Sequence, residues 1–257
     1  MKITPSASID KLKIYGERNT GTNYLCRLIE TNLQVKLLRG TAPPALRHLR
    51  RFFANDEHLI DTYFRWSYPF NLGWKHSAPR PLTEITPYPG YRSLSGVIFL
   101  VRNPYSWLLS LHKNPYHQTH ADAPGFDQFL NRIWQMHRRD EIVGAPLNPI
   151  QLWNRKIRSY LEFAERRKIL IRFEDLLEDP KRSISHIAQK FEIQPTDCWF
   201  TNIEASTKGS GKDYDGYRAY YRTESWKKNL SADSIRRINK DLDEDLLQAL
   251  GYTRLTG

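Results

Sequence analysis

Two glycines five residues apart, Gly16 and Gly21, separate a short alternating apolar pattern from a helical one, and the polar residues around Gly21 suit anion binding. The stretch 11–30 reads KLKIYGERNTGTNYLCRLIE. Leu12 and Ile14 alternate with polar neighbours and predict a strand. Leu25, Leu28, Ile29 and Leu33 recur at three- and four-residue intervals and predict a helix over 22–33. A strand, a glycine-bearing loop and a helix, in that order, is how α/β proteins hold a phosphate. Loop N–H groups and the positive end of the helix dipole converge on the charge. The Gly16-x4-Gly21 spacing matches the glycines of a Walker A loop. The next two places, which that motif fills with Lys and Ser/Thr, hold Thr22 and Asn23. Such a loop suits an anion without Mg²⁺-nucleotide chemistry. The plainer alternative is a strand-to-helix turn that uses its glycines for geometry alone.

The elements that must position this loop can be read along the chain. A short strand is expected at 35–38 and a basic amphipathic helix at 44–55, with Leu46, Leu49, Phe52 and Phe53 on one side. Residues 59–68 are aromatic and fit helix or strand. Gly73-Trp74-Lys75-His76-Ser77 reads as a strand end or loop entering a proline-rich surface segment. GVIFLVR at 96–102 is the clearest strand, an unbroken apolar run of the kind buried in parallel sheets. Asn103-Pro104 opens a helix, 114–125 is a polar histidine-containing loop, and 126–139 and 149–167 are two further helices. A third strand is expected at 168–173, then a helix capped by Asp179 and running to Phe191. Residues 201–222, rich in Gly, Lys, Tyr and Asp, predict a long functional loop. Ser231 caps a helix over 232–240, and Gly251 stops a last helix over 241–250. Strands separated by helices give an α/β fold: one domain over 1–257 with a central, mainly parallel β-sheet flanked by helices. There is no internal repeat, low-complexity tract or domain linker.

Composition narrows the partners. The chain has 257 residues, a net charge of +11 and a pI near 9.6. An anionic partner follows, whether nucleic acid, a polyanionic nucleotide or an acidic glycan. Fourteen Tyr and seven Trp offer platforms for bases or sugars. The basic runs at 47–51 and 166–168 read as solvated helix faces or binding sites. No apolar run is long enough to span a bilayer, and the N-terminus lacks an apolar signal region. Cys26 and Cys198 form neither a metal spacing nor a disulfide framework, so a cytoplasmic, reduced protein is expected.

Four segments in this order resemble the sulfotransferase family that uses 3′-phosphoadenosine-5′-phosphosulfate (PAPS). Thr20-Gly21-Thr22 resembles the core of its 5′-phosphosulfate loop. Arg102-Asn103-Pro104 at the end of a strand, with Ser110 eight residues after the Arg, resembles its 3′-phosphate segment. IRFEDLLEDP at 171–180 and Trp226-Lys227…Leu230-Ser231, followed by Leu250-Gly251-Tyr252, resemble its later motifs. The resemblance spans nearly the whole chain and implies a P-loop-like α/β fold, PAPS as co-substrate and no metal.

It also implies roles. Thr20, Gly21, Thr22 and Asn23 would hold the 5′-phosphosulfate, Arg102 would clamp the 3′-phosphate, and Ser110 would add a hydroxyl. Sulfuryl transfer moves a less charged group than phosphoryl transfer, which fits the missing Walker lysine and hydroxyl. A neutral imidazole is the natural base for an acceptor hydroxyl. His76 beside Lys75 is the candidate, with Lys75 stabilising charge on the leaving oxygen. His48 and His58 lie in helical or polar segments, and His112, His117 and His120 are alternative bases. Many family members carry a Lys where this chain has Asn19; the resemblance implies cofactor contacts from Asn19 and from Arg18, one place earlier, with Arg18 as the substitute catalytic cation. The family's C-terminal basic cluster is diffuse here, with Arg222 favoured over Lys208, Lys212 and Arg218. Glu174 and Asp175 are expected to be structural. The function implied is sulfuryl transfer to a hydroxyl, with abundant Trp and Tyr pointing to a carbohydrate or glycolipid acceptor. The other readings are a P-loop-like kinase or NTPase, a nucleic-acid-binding protein without catalysis, and a sulfotransferase that binds cofactor but has lost turnover.

Overall fold

A computed structural model of the chain describes residues 10–49, 56–116, 125–205 and 213–257, with the side chains of 47–49 and 56 excepted. In chain order the elements are β1 (Lys11–Tyr15), α1 (Thr22–Asn32), β2 (Lys36–Leu37), α2 (Pro44–Leu49), α3 (Asp56–Asn71), α4 (Leu82–Ile85) and α5 (Pro89–Arg92). Then come β3 (Gly96–Val101), α6 (Pro104–Lys113), α7 (Phe126–Asn131), α8 (Pro149–Glu162), β4 (Lys168–Arg172) and α9 (Phe173–Glu178). The chain closes with α10 (Pro180–Phe191), α11 (Tyr214–Arg222), α12 (Ala232–Asp241) and α13 (Glu244–Ala249).

The four strands form one all-parallel sheet in the order β2-β1-β3-β4. Every residue of β3 is buried, as an unbroken apolar run requires when both faces are covered. Side chains alternate between faces, so Gly96 and Phe99 point to opposite sides. On one side a Cβ at Gly96 would lie 2.1 Å from the Phe191 ring of α10, so only glycine admits that helix. On the other, Phe99 stacks on Tyr15 at 5.7 Å and on Tyr160 of α8 at 4.8 Å. The chain is therefore an α/β protein with helices on both faces. After β1 the chain moves to one side, to β2; β3 lies on the other. A crevice forms at such a switch point, outside the carboxyl ends of the strands.

Most expected elements are present, and four readings change. The ambiguous segment 59–68 is inside α3, which carries Pro69 within its last turn. The helix expected over 126–139 ends at Asn131, and a short 3-10 turn follows at Arg138–Asp140. Trp134 explains the break: its backbone N–H bonds Leu147 O at 2.7 Å, and its side chain is buried. The functional loop expected over 201–222 holds α11 from Tyr214, capped by Asp213 onto Gly216 N at 2.9 Å. The proline-rich segment contains α4 and α5, the latter with proline in its first turn. The second half of the helix expected over 44–55, most of the loop at 114–125, and His117, His120, Lys208 and Lys212 lie outside the described residues, as does the side chain of His48. No helix among the described residues is long and apolar enough to cross a membrane.

Candidate functional site

The loop between β1 and α1 closes on itself. Thr20 donates through Oγ1 and N–H to Glu17 O, at 2.6 and 3.2 Å. Gly21, with φ 86°, caps α1 and supplies no side-chain acceptor. Its conformation favours glycine, and a Cβ there would also meet the Phe173 ring at 2.5 Å. The first hydrogen bond of the helix is Leu25 N to Gly21 O. The N–H groups of Gly21, Thr22, Asn23 and Tyr24 therefore have no acceptor among the described residues. Four open donors at the positive end of a three-turn helix are chemically able to cradle an anion.

Lys75 and His76 are stitched to this loop. Gly16 N donates to Lys75 O at 2.9 Å, and Gly16 O lies 2.6 Å from His76 Nδ1. A carbonyl can only accept, so Nδ1 carries the proton and Nε2 holds the lone pair. Nε2 has no hydrogen-bond partner among the described residues. Burial holds the imidazole well below its ordinary pKa; the nearby Lys75 and Arg18 cations push the same way, against the Gly16 bond. His76 is neutral at physiological pH. Lys75 Nζ reaches Asn23 Oδ1 at 2.5 Å across the start of α1, and burial lowers its pKa too. Residues of β1 fix the approach to this pair: Lys13 Nζ donates to Asn71 O and Gly73 O at 2.6 and 2.5 Å, and Tyr15 OH donates to Leu72 O at 2.6 Å.

On the other side of the loop, past the end of β3, a cavity of about 880 Å³ opens. Asn19 and Gly21 meet Arg102, Ser106 and Ser110 there, opposite aromatic side chains that include Phe173, Trp226 and the tyrosines of α11. Asn103 caps α6 onto Tyr105 N at 3.1 Å, so Ser106 and Ser110 face the cavity one turn apart. Ser110 Oγ has no partner among the described residues. Asn19 joins the two halves. It accepts from Arg102 Nη1 through its carbonyl at 2.6 Å and donates from Nδ2 to Ser110 O at 3.3 Å.

Thr20, Gly21, Thr22, Asn23, Lys75 and His76 thus come together, and Arg102 and Ser110 adjoin them through Asn19. Three expectations change. The Arg102 fork is largely engaged: Nε bonds Ser106 Oγ at 3.0 Å, and Nη2 bonds Ser106 O and Tyr221 OH at 2.8 and 2.5 Å. With Nη1 on Asn19 O, one of five N–H groups is left for a ligand, short of the bidentate clamp expected. Arg18, expected as a substitute cation for the ligand, turns inward: Nη1 lies 3.0 Å from Glu17 Oε1 and 3.6 Å from Asp140 Oδ1, and its guanidinium stacks on Trp74 at 4.4 Å. Arg222 is exposed at the end of α11 and does not line the cavity, whereas Tyr214, Tyr217, Tyr220 and Tyr221 do, because that face of the helix is the one turned inward. Arg218 pairs with Glu178 at 2.8 Å.

Other residues fall into place around these. His58 is exposed on α3, and His112 lines the cavity, packed on Phe126 and Phe129. Glu174 accepts from Asn103 N and Tyr252 OH, and Asp175 pairs with Arg172 at 2.6 Å, so both acids hold later segments against the sheet. Sequence reasoning missed Tyr221, Ser106, Lys13 and Lys156. The signal for Lys13 was present: strand alternation puts it on the face of Tyr15, where it is fully buried.

No protein-family model matches the chain, and no curated protein matches it. Among solved structures the chain is similar to the sulfotransferase domain from the curacin biosynthetic pathway, at 12% identity over 96% of this chain and 99% of that one, with a TM-score of 0.44. It is similar also to a sulfotransferase from Alicyclobacillus acidocaldarius, at 14% identity over 93% and 98% of the two chains, with a TM-score of 0.42.

Proposed function

We propose that the chain is a sulfotransferase that uses PAPS and an acceptor hydroxyl, with His76 as general base. The observation that carries this reading is the pairing of an open helix N-terminus with a neutral imidazole tied to the same loop through Gly16. The residues fit the nucleotide. The open N–H groups of 21–24 would take its 5′ anionic end, the remaining Arg102 N–H and Ser110 Oγ its 3′-phosphate, and the aromatic wall its purine. When bound, PAPS supplies the activated sulfuryl group.

The chain's own residues do the rest. His76 Nε2 takes the proton of the acceptor hydroxyl, and Gly16 O holds Nδ1–H so that the tautomer stays correct. Lys75 places a cation beside the anion cradle, where charge builds on the departing oxygen. The acceptor class we propose is a carbohydrate or glycolipid hydroxyl, on the abundance of Trp and Tyr.

The test is transfer of labelled sulfate from PAPS to a panel of carbohydrate acceptors in EDTA. His76→Ala is expected to lower kcat by about 10²-fold or more, the range for loss of a general base. Because the imidazole pKa is depressed, the base form persists as pH falls, so the acid limb of the rate profile should lie below the free-imidazole value of ~6.5. Equal rates in wild type and His76→Ala would remove the base assignment. A requirement for Mg-ATP in place of PAPS would remove the sulfotransferase reading.

A further inference from the structure

Behind the anion loop lies a charge cluster to which the reaction gives no part. Glu17, Arg18, Asp140 and Lys156 have side-chain exposures of 5, 3, 0 and 1%. Two cations and two carboxylates balance. Lys156 Nζ is 3.5 Å from Glu17 Oε2 and 3.6 Å from Asp140 Oδ1, while Arg18 spans the other oxygen of Glu17 and the same oxygen of Asp140. Lys156 sits mid-helix on the buried stripe of α8, with Leu152, Trp153 and Tyr160. An ammonium there is costly unless its partners are well placed.

Its hydrogen bonds show where it acts. Lys156 Nζ donates to His76 O at 2.5 Å and to Asp140 O at 3.2 Å. His76 is therefore held at two points, its ring by Gly16 O and its own carbonyl by Lys156. Glu17, which opens the anion loop, ties the same cluster to that loop by accepting Arg18 N at 2.7 Å. Glu17 Oε2, Asp140 Oδ1 and Tyr160 OH are buried without a hydrogen-bond partner among the described residues, so those two carboxylate oxygens depend on the cations, while Glu17 Oε1 and Asp140 Oδ2 accept backbone N–H groups.

We propose that Lys156 is a positioning residue: through the cluster with Glu17 and Asp140 it locks the backbone of His76 to the anion loop, fixing where the imidazole stands and which nitrogen carries its proton. This rests on the reading of His76 as the base only for its effect on rate; the effect on the imidazole itself is independent of that reading. The groups facing His76 are Lys75, Arg18 and Lys156, with the Trp74 ring 5.0 Å away at its edge. Those facing Lys156 are Glu17 and Asp140, next to the Tyr160 hydroxyl.

The experiment is histidine-resolved NMR titration of the full chain, beside kcat and 3′,5′-ADP affinity. Removing Lys156 alone would leave two buried carboxylates facing one cation, at a cost to folding, so the main variant is Lys156→Met with Asp140→Asn, which removes one charge of each sign. Lys156→Arg is the conservative companion. In wild type, His76 should show a single Nδ1–H tautomer and a depressed pKa. In the double variant the tautomer should become mixed and the pKa should rise toward ~6.5. kcat should fall at least tenfold, while 3′,5′-ADP affinity should change less than about threefold. Lys156→Arg should restore part of the tautomer and of kcat. An unchanged tautomer and pKa in a folded double variant would overturn the proposal. If both move while His76→Ala retains full activity, positioning stands and the general-base reading falls.

Discussion

Lys13 places an amine in the middle of β1. It is fully buried, and burial pulls its amine down to about 7 from a usual value near 10.5. Two carbonyls accept from it, which matches the two N–H groups of a neutral amine. Between about 7 and the unfolded value the unfolded chain binds more protons at this site than the native one. The contribution of Lys13 to stability therefore rises with pH across that window and is depressed below it. Buried tyrosines such as Tyr15 and Tyr160, whose pKa values burial raises, act the other way once unfolded tyrosine ionises near ~10. The useful interval thus ends near ~9.5. Urea unfolding should show wild type gaining about 2 kcal/mol more than Lys13→Met between pH 7.5 and 9.5, since one proton is worth at most ~1.4 kcal/mol per pH unit. Parallel pH slopes in the two proteins would remove this account of the buried amine.

At the scale of the element, the strand-loop-helix unit was legible because each part announces itself locally. Alternation in KLKIY, a capless glycine at the helix start and helical spacing beyond it all point the same way. β3 and its capped successor α6 were equally readable from an apolar run and Asn103-Pro104. What stayed hidden was set by long-range contact. The inward face of α11 exists because Tyr221 meets Arg102 across 119 positions, and the break at Trp134 follows from a bond to Leu147. The charge cluster joins residues 17, 18, 140 and 156, which no local pattern connects. Gly16 belongs to this scale too. A Cβ there would lie 2.8 Å from Leu100 O and 2.8 Å from Thr22 Cγ2, so Gly16→Ala should push the loop off β3 and strain both bonds to Lys75 and His76. Overpacking of this kind costs about 1–3 kcal/mol. An unfolding free energy lowered by that amount, with kcat down tenfold or more, is expected; unchanged stability and rate would show that the loop has room to spare.

For the molecule as a whole, the parallel sheet brings three of its loops to a single edge. The loops after β1, β3 and β4 supply the helix cradle, Arg102 and Phe173 respectively, and the switch point between β1 and β3 makes the crevice they share. The net charge of +11 suits a polyanionic nucleotide, but charge alone would suit nucleic acid as well. Under the proposed function the two would be told apart by the second anion contact, Arg102 and Ser110 beside the open helix start, which a 3′-phosphorylated nucleotide would use. The most direct measurement is calorimetric titration with 3′,5′-ADP in EDTA, beside AMP and beside ATP with and without Mg²⁺. Metal-free binding that prefers the 3′-phosphorylated nucleotide is expected, weakened about tenfold or more in Arg102→Ala, as loss of a charge-assisted hydrogen bond implies. No binding of 3′,5′-ADP, or a preference for Mg-ATP, would contradict it.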